Sequence, residues 1–382
     1  MFPRSQARTS SRNDRCSGVG VSSMTPPGRR PGARLNDDSV SFYGAPSVEV
    51  KAAAAAARFR LRRRGLLSIV VAMWRTPMST VLTKSDFGRA TDQIYGLIAW
   101  ISLGIFVIVV GLLIYALVRY RERRPGELPR QIRGHSLLEI GWTIAPALVL
   151  LVIAIPTIQT IFRTQPAVEP EGALEVTVRG HQWWWEFSYP ALGIVTANEL
   201  HLPLGRAAAL LLEGPDVIHS FWVPQLGGKR DVIPGRLNRL TFTPEAPGEY
   251  LGQCAEFCGV SHANMRLRVI VDGTEAWQAW VRLQQAPPAA DAAATEGAAV
   301  FAKSACVGCH TVRGVSAGVV GPDLTHFGSR RTLAAGLLPN TPANLLAWIQ
   351  DPPAVKPGAK MPALGLSPAE ARAVAGYLAS LR

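Results

Sequence analysis

The stretch GQCAEFCGVSHANM, residues 252–265, decides how the rest of the chain is read. It places Cys254, Cys258, His262 and Met265 at spacings of four, four and three, so one loop offers two thiolates, an imidazole and a thioether. Soft sulfur donors with imidazole suit copper, and copper electron-transfer sites join such donors to a second, distant histidine. His219, in PDVIHSFWVP, is the natural remote ligand. Zinc would be satisfied by Cys254, Cys258, His262 and His219 without the thioether, and two buried cysteines beside a core methionine would need no metal at all. Met265 speaks for copper, because only Met265 and Met361 follow Met78, and both stand in ligand-like contexts. A single copper needs one thiolate, so a second at this spacing argues for two coppers bridged by both sulfurs.

Working outward, the segments 174–179, 183–189, 208–212, 236–243 and 266–271 read as short strands bounded by Gly or Pro. Their spacing predicts an antiparallel sandwich or Greek-key barrel of about 110 residues. Upstream lie two apolar runs, at about 94–118 and 140–162, each of roughly the 20 residues needed to cross a hydrocarbon core. They exclude a purely soluble protein. The connection between them carries six arginines (119, 121, 123, 124, 130 and 133) against three glutamates, which puts this short loop on the cytoplasmic side and both hairpin ends outside.

The chain of 382 residues has a net charge of +13, which suggests nucleic acid until the distribution is examined. Residues 1–92 hold 16 basic and 6 acidic side chains, so most of the surplus sits in an N-terminal arm rich in Ser, Gly, Pro and Arg, and no nucleic-acid partner is expected. This arm reads as disordered. Its end, RFRLRRRGLLSIVVAMW, is either a secretory signal or an extension upstream of a start at Met73 or Met78. Five cysteines are too few for a disulfide framework, and Cys16 has no assignable role.

Downstream of an Ala/Pro linker at 284–294, CVGCH places Cys306, Cys309 and His310 in the c-type haem attachment pattern: two thiols for the vinyl groups and one axial nitrogen. Met361, in AKMPAL, is the expected second axial ligand, with His326 competing. The closing segment SPAEARAVAGYLASLR predicts a helix with Ser367 as N-cap, Pro368 at N1 and Glu370 at N3. The expected organisation is therefore a basic arm over 1–92, a transmembrane helical hairpin over 93–165, a β-domain over 166–283, the linker, and a small all-α domain over 295–382.

The loop CAEFCGVSHANM, with His219 upstream and HQWWWEFSY, DVIHSFWVP and DVIPGRLNR around it, closely resembles subunit II of the haem-copper cytochrome c oxidases from about residue 95 to 280. The resemblance implies a cupredoxin-like fold holding the binuclear CuA centre, with His219, Cys254, Cys258, His262, Met265 and the backbone carbonyl of Glu256 as ligands. It also implies a magnesium site shared with subunit I through the Glu256 carboxylate, an electron-accepting patch at Trp183, and a proton-uptake role for Glu139 in LLEIGWTIAP. Bland rivals stand beside these roles. Three consecutive tryptophans on a strand alternate in direction, so at least one is core; Glu139 suits a helix N-terminus electrostatically; and His181 and His201 fit hydrogen-bonded structural roles better than ligation.

The module after the linker resembles a class I cytochrome c, and its fusion to the copper domain resembles the caa-type bacterial oxidases. The implied path runs from an external cytochrome c or a quinol-cytochrome c reductase to haem c, then CuA, then subunit I, where oxygen is reduced and protons are pumped. Subunits I and III would be partners, with both soluble domains on the periplasmic face of the bacterial plasma membrane. Two other readings are a quinol oxidase subunit II, which has no need of CuA, and a copper- and haem-binding assembly protein without turnover. Residues 166–286 carry 9 basic and 13 acidic side chains and residues 287–382 carry 8 and 5, so opposite net charges predict salt-sensitive docking of one domain on the other.

Overall fold

The computed structural model describes residues 78–382 apart from 122–125, 127–130, 132–133, 167 and 290–293. The basic arm up to residue 77 with Cys16, four of the loop arginines (123, 124, 130 and 133) and the centre of the Ala/Pro linker lie outside the described residues.

Helices α1 (Asp86–Arg119) and α2 (Ser136–Thr164) form the hairpin, with 34 and 29 residues. At 1.5 Å per residue they are about 50 and 43 Å long, against a hydrocarbon core of about 30 Å, so both extend past the expected apolar spans. The start of α1 is fixed to the β-domain. Buried Ser85 caps α1 by accepting from Gly88 N, and its hydroxyl donates to Leu226 O at 2.5 Å. Thr243 N donates to the Asp86 carboxylate at 2.7 Å, and Arg89 pairs with Glu245. Since α2 leads through residues 165–173 to the first strand, both outer ends of the hairpin meet the β-domain, and Arg119, at the end of α1, lies at the other end.

The β-domain is a sandwich of two five-stranded sheets. One is ordered β3-β2-β1-β5-β8, from β1 (Leu174–His181), β2 (Trp184–Tyr189), β3 (Ile194–Ala197), β5 (Ala208–Glu213) and β8 (Asn238–Phe242). The other is β4-β10-β9-β6-β7, from β4 (Glu199–Pro203), β6 (His219–Trp222), β7 (Arg230–Val232), β9 (Gly248–Cys254) and β10 (Arg266–Asp272). Alternation in β1 buries Leu174, Val176 and Val178 against Trp185, Phe187, Leu200, Leu210 and Phe221, the interior that holds the sheets together.

The expectation of a purely antiparallel sandwich needs correction, because β1 pairs with β5 and β10 with β4 in parallel. The cause is a change of sheet at one residue. Asn198, at φ 63°, separates β3 from β4 and accepts from Trp185 N, so the chain leaves the first sheet and β5 returns beside β1. Strands β3, β4, β6, β7 and β9 escaped the sequence reading; they are short, or carry glycine and polar residues. The amphipathic helix α3 (Thr274–Gln285) follows and stacks Trp277 and Trp280 near Tyr189.

The last module is mainly helical, from α4 (Thr295–Lys303), α5 (Cys306–Cys309), α6 (Pro342–Gln350), α7 (Pro352–Val355) and α8 (Pro368–Ser380). Two short hairpins, β11–β12 (Thr311–Val312 and Ser316–Ala317) and β13–β14 (Thr332–Leu333 and Leu338–Pro339), interrupt the helices. The first and last helices cross at Gly297, where a Cβ would lie 2.1 Å from Ala373 O; only glycine permits that approach. Ser367 and Glu370 form the expected capping box of α8.

Candidate metal centres

The loop between β9 and β10 folds back so that its donors meet. Cys254 Sγ lies 3.8 Å from Cys258 Sγ, and each sulfur has its own imidazole: His219 Nδ1 is 3.9 Å from Cys254 and His262 Nδ1 is 3.5 Å from Cys258. The backbone carbonyl of Glu256 is 3.2 Å from Cys254 Sγ, and Met265 Sδ is 3.9 Å from Cys258 Sγ. Sheet pairing explains the convergence. Phe221 on β6 pairs with Cys254 on β9, which brings the remote His219 to the loop, while Cys254 N donates to Met265 O and closes the loop's base.

Both cysteines, His219 and Met265 are buried. The two thiols differ: the hydrogen bond with Cys258 draws Cys254 well below the usual thiol range, and Cys258 is pushed up by the same neighbour and by burial. Asp216 orients His219, accepting from Nε2 at 2.8 Å, so that Nδ1 is left for the sulfur cluster. Burial pushes His219 down, but its bonds to Cys254 and Asp216 outweigh that and leave it raised. Two thiolates, two imidazoles, a thioether and a carbonyl in one buried cluster fit a soft metal.

The three tryptophans diverge, Trp184 and Trp185 by strand alternation and Trp183 because it lies in the turn before β2 rather than on the strand expected from residue 183. Trp185 is fully buried and packs edge-on to Phe221; Trp184 stacks on His181 at 4.2 Å; Trp183 points to the loop and donates from Nε1 to Cys258 O at 3.0 Å. His201 bonds Asp272 at 2.8 Å and stacks on Trp280.

Trp183 also belongs to a second site. A cavity of about 300 Å³ is lined by Cys306, Cys309, His310 and Met361 on one side and by His181 and Trp183 on the other. His310 Nδ1 lies 2.8 Å from Pro322 O; a carbonyl only accepts, so Nδ1 carries the proton and Nε2 keeps its lone pair for a ligand. Burial holds His310 in that neutral form. Gly321 allows the ring its place, since a Cβ there would meet His310 Cε1 at 2.6 Å. Met361 lines the cavity and His326 does not. A largely apolar cleft with a thiol pair, a neutral imidazole and a thioether fits a flat, covalently attached haem.

Glu139 lies in the first turn of α2, exposed, at the end of the hairpin remote from both clusters. The sequence reading missed Asp216, although an acidic residue three positions before a ligand was a usable signal. It also missed Lys356, whose buried ammonium donates to Trp183 O at 2.6 Å and is pushed down to about 7 by burial; no local pattern marks it.

Three family models match: the transmembrane domain of cytochrome c oxidase subunit II over residues 88–160, its periplasmic domain over 192–272, and cytochrome c over 294–382. The chain is 38% identical over 285 residues to cytochrome c oxidase subunit 2 of Alkalihalophilus pseudofirmus, covering 72% of this chain and 82% of that one. It is 36% identical over 291 residues to the Bacillus subtilis protein of the same name, covering 70% and 82%. Quinol oxidase subunit 2 of Bacillus cereus is 34% identical over 212 residues, covering 53% and 72%. The chain thus belongs to the cytochrome c oxidase subunit II family, as a membrane-anchored member with a periplasmic domain followed by a cytochrome c domain, which implies copper and haem c as cofactors and a haem-copper subunit I as partner.

Proposed function

We propose that this chain is the electron-accepting subunit of a caa-type oxidase and that its own residues hold both ends of a short relay. His219, Cys254, Cys258, His262, Met265 and the Glu256 carbonyl would hold a binuclear copper centre. Cys306 and Cys309 would tether haem c, with His310 and Met361 as axial ligands. Bound there, the two groups would supply one-electron redox chemistry, and the chain would serve to accept electrons from a reduced external cytochrome c or a quinol-cytochrome c reductase for subunit I and the oxygen-reducing, proton-pumping machinery.

One observation carries the reading: Trp183 both lines the cavity of His310 and Met361 and donates to the carbonyl of Cys258. A single side chain therefore spans the two donor sets. The residues around it position the sites rather than react. Asp216 fixes the His219 ring and Pro322 O fixes the His310 tautomer.

Glu256 would lend its carboxylate to a magnesium ion at the subunit I boundary, and Glu139 would take up protons from the cytoplasmic end. The membrane orientation is supported by the hairpin, whose outer ends both meet the β-domain while Arg119 and Arg121 stand at its other end. On this reading both soluble modules would face the periplasm of a bacterial plasma membrane, and subunit III would be a further neighbour. A quinol oxidase reading without copper would leave the converging donors unaccounted for.

Copper and haem content, with optical and EPR spectra, measured on the purified full chain tests the proposal. Two coppers with a mixed-valence signal and one covalent haem are expected; zinc, or one copper without that signal, would end it.

A further inference from the structure

The haem module touches the copper module through a small hairpin. In β13–β14, residues 332–339, the tip runs through Ala334, Ala335 and Gly336 at φ 54°, 62° and 74°. Left-handed alanines cost free energy and persist where surrounding contacts over-determine them. Leu333 and Ala334 pack in the haem module's own core, while Ala335 and Gly336 meet the other module. Arg266 N, next to Met265, donates to Ala335 O at 3.1 Å, and a Cβ on Gly336 would press on Arg266. Ala335 and Leu333 are each 3% exposed.

At the hairpin's base stands Glu199, on the edge strand β4 of the copper module and itself 3% exposed. Its carboxylate accepts from Arg331 N at 2.9 Å, Thr332 N at 2.8 Å and Thr332 Oγ1 at 2.8 Å. All of these donors belong to the haem module. In the opposite sense, Lys356 of the haem module crosses to Trp183 O while also holding Ala334 O at 3.3 Å. Arg313 donates to the carbonyls of Gln284, Gln285 and Ala286 that end α3.

We propose that the haem module works from one seated position on the copper module, with the hairpin 332–339 as the docking finger and Glu199 and Lys356 as the residues that set its register. This rests on the reading that the two sites hold haem and copper; the seat places the haem cavity against Trp183 rather than leaving the module to swing on its linker. It also revises the expectation drawn from net charge. A carboxylate enclosed by N–H donors is screened by salt much less than the exposed Arg331–Glu249 pair at the rim, so docking is held mainly by buried contacts.

The amides of Arg331 and Thr332 report the seat directly, because their acceptor lies across the interface. Hydrogen–deuterium exchange on the full holo-chain is expected to show residues 331–335 protected, and Glu199→Ala to raise exchange there at least roughly tenfold, the effect of losing a charge-assisted hydrogen bond. Leu324 and Leu345 amides, bonded within the haem module, should not change. Thr332→Val, made from the other side of the interface, should act in the same direction but less, and Glu199→Gln should restore part of the protection. Lys356→Met should slow haem-to-copper electron transfer while both optical spectra persist. Unchanged exchange at 331–335 in both Glu199→Ala and Thr332→Val would overturn the proposal, as would loss of protection spread equally to Leu324 and Leu345. Spectra of the wild type on the same samples separate the two ideas: missing copper or haem would sink the relay, while the exchange difference would still decide the seat.

Discussion

The copper loop and the haem motif are both short strings of two cysteines and a histidine, yet the fold treats them in opposite ways. Around Cys254 and Cys258 the donors touch one another, between 3.2 and 3.9 Å, because the paired strands β9 and β10 hold both ends of the loop and β6 beside them presents His219. Around Cys306 and Cys309 the donors stand apart and border a cavity whose far wall comes from the copper module. A small metal cluster can be specified by side chains in mutual contact. A large flat group needs an enclosure, and residues of both modules line this cavity. The comparison assigns different vulnerabilities: the first site should fail through its ligands, the second through its walls and axial groups.

The sharpest way to break this contrast is Cys254→Ser. It removes the sulfur shared by His219, Glu256 and Cys258 contacts and should reduce copper per haem to near zero with the haem spectrum intact; retained copper absorption would refute the ligand set. Met361→Ala comes next. Haem should stay attached through Cys306 and Cys309 but at a lower potential, whereas His326→Ala should leave the potential alone; redox titration of both variants decides between them.

Trp185→Ala probes the scaffold rather than the ligands. Removing this fully buried ring next to Phe221 should cost about 3–5 kcal/mol, seen as a lower Tm for copper-module unfolding. The smallest effect concerns Glu186, which bonds Arg179 at 2.7 Å. Burial pushes its carboxyl up, but the His181 imidazole 3.6 Å away and the Arg179 hydrogen bond outweigh that and hold it below the usual range. A depressed carboxyl stabilises the fold above its unfolded pKa, and this stability is lost as pH falls through the folded value. Glu186→Gln should therefore cost about 1 kcal/mol near neutral pH, a difference that shrinks below about pH 4 in denaturant titrations.

Much of this was legible from the chain alone, for reasons that differ by site. The local spacing in 254–265 put four donors on one loop, and CVGCH did the same for the haem end. The hairpin was legible because a bilayer demands long apolar runs. Strand β6, only four residues long, was not, although it carries His219. Nor was the parallel pairing of β1 with β5, which follows from a change of sheet at Asn198 that no periodicity records.

What the sequence by itself determined is therefore the local chemistry: which donors occur, at what spacing, and which segments must meet lipid. What only the tertiary structure decided is how distant parts face each other: Asp216 behind His219, Trp183 between the two donor sets, Lys356 on the Trp183 carbonyl and Glu199 beneath the 332–339 hairpin. The physical reason is range. Ligand spacing acts within a dozen residues and apolar length within about 25, whereas a buried carboxylate such as Glu199 is satisfied by donors more than a hundred residues away, and only the folded chain brings them within hydrogen-bond distance.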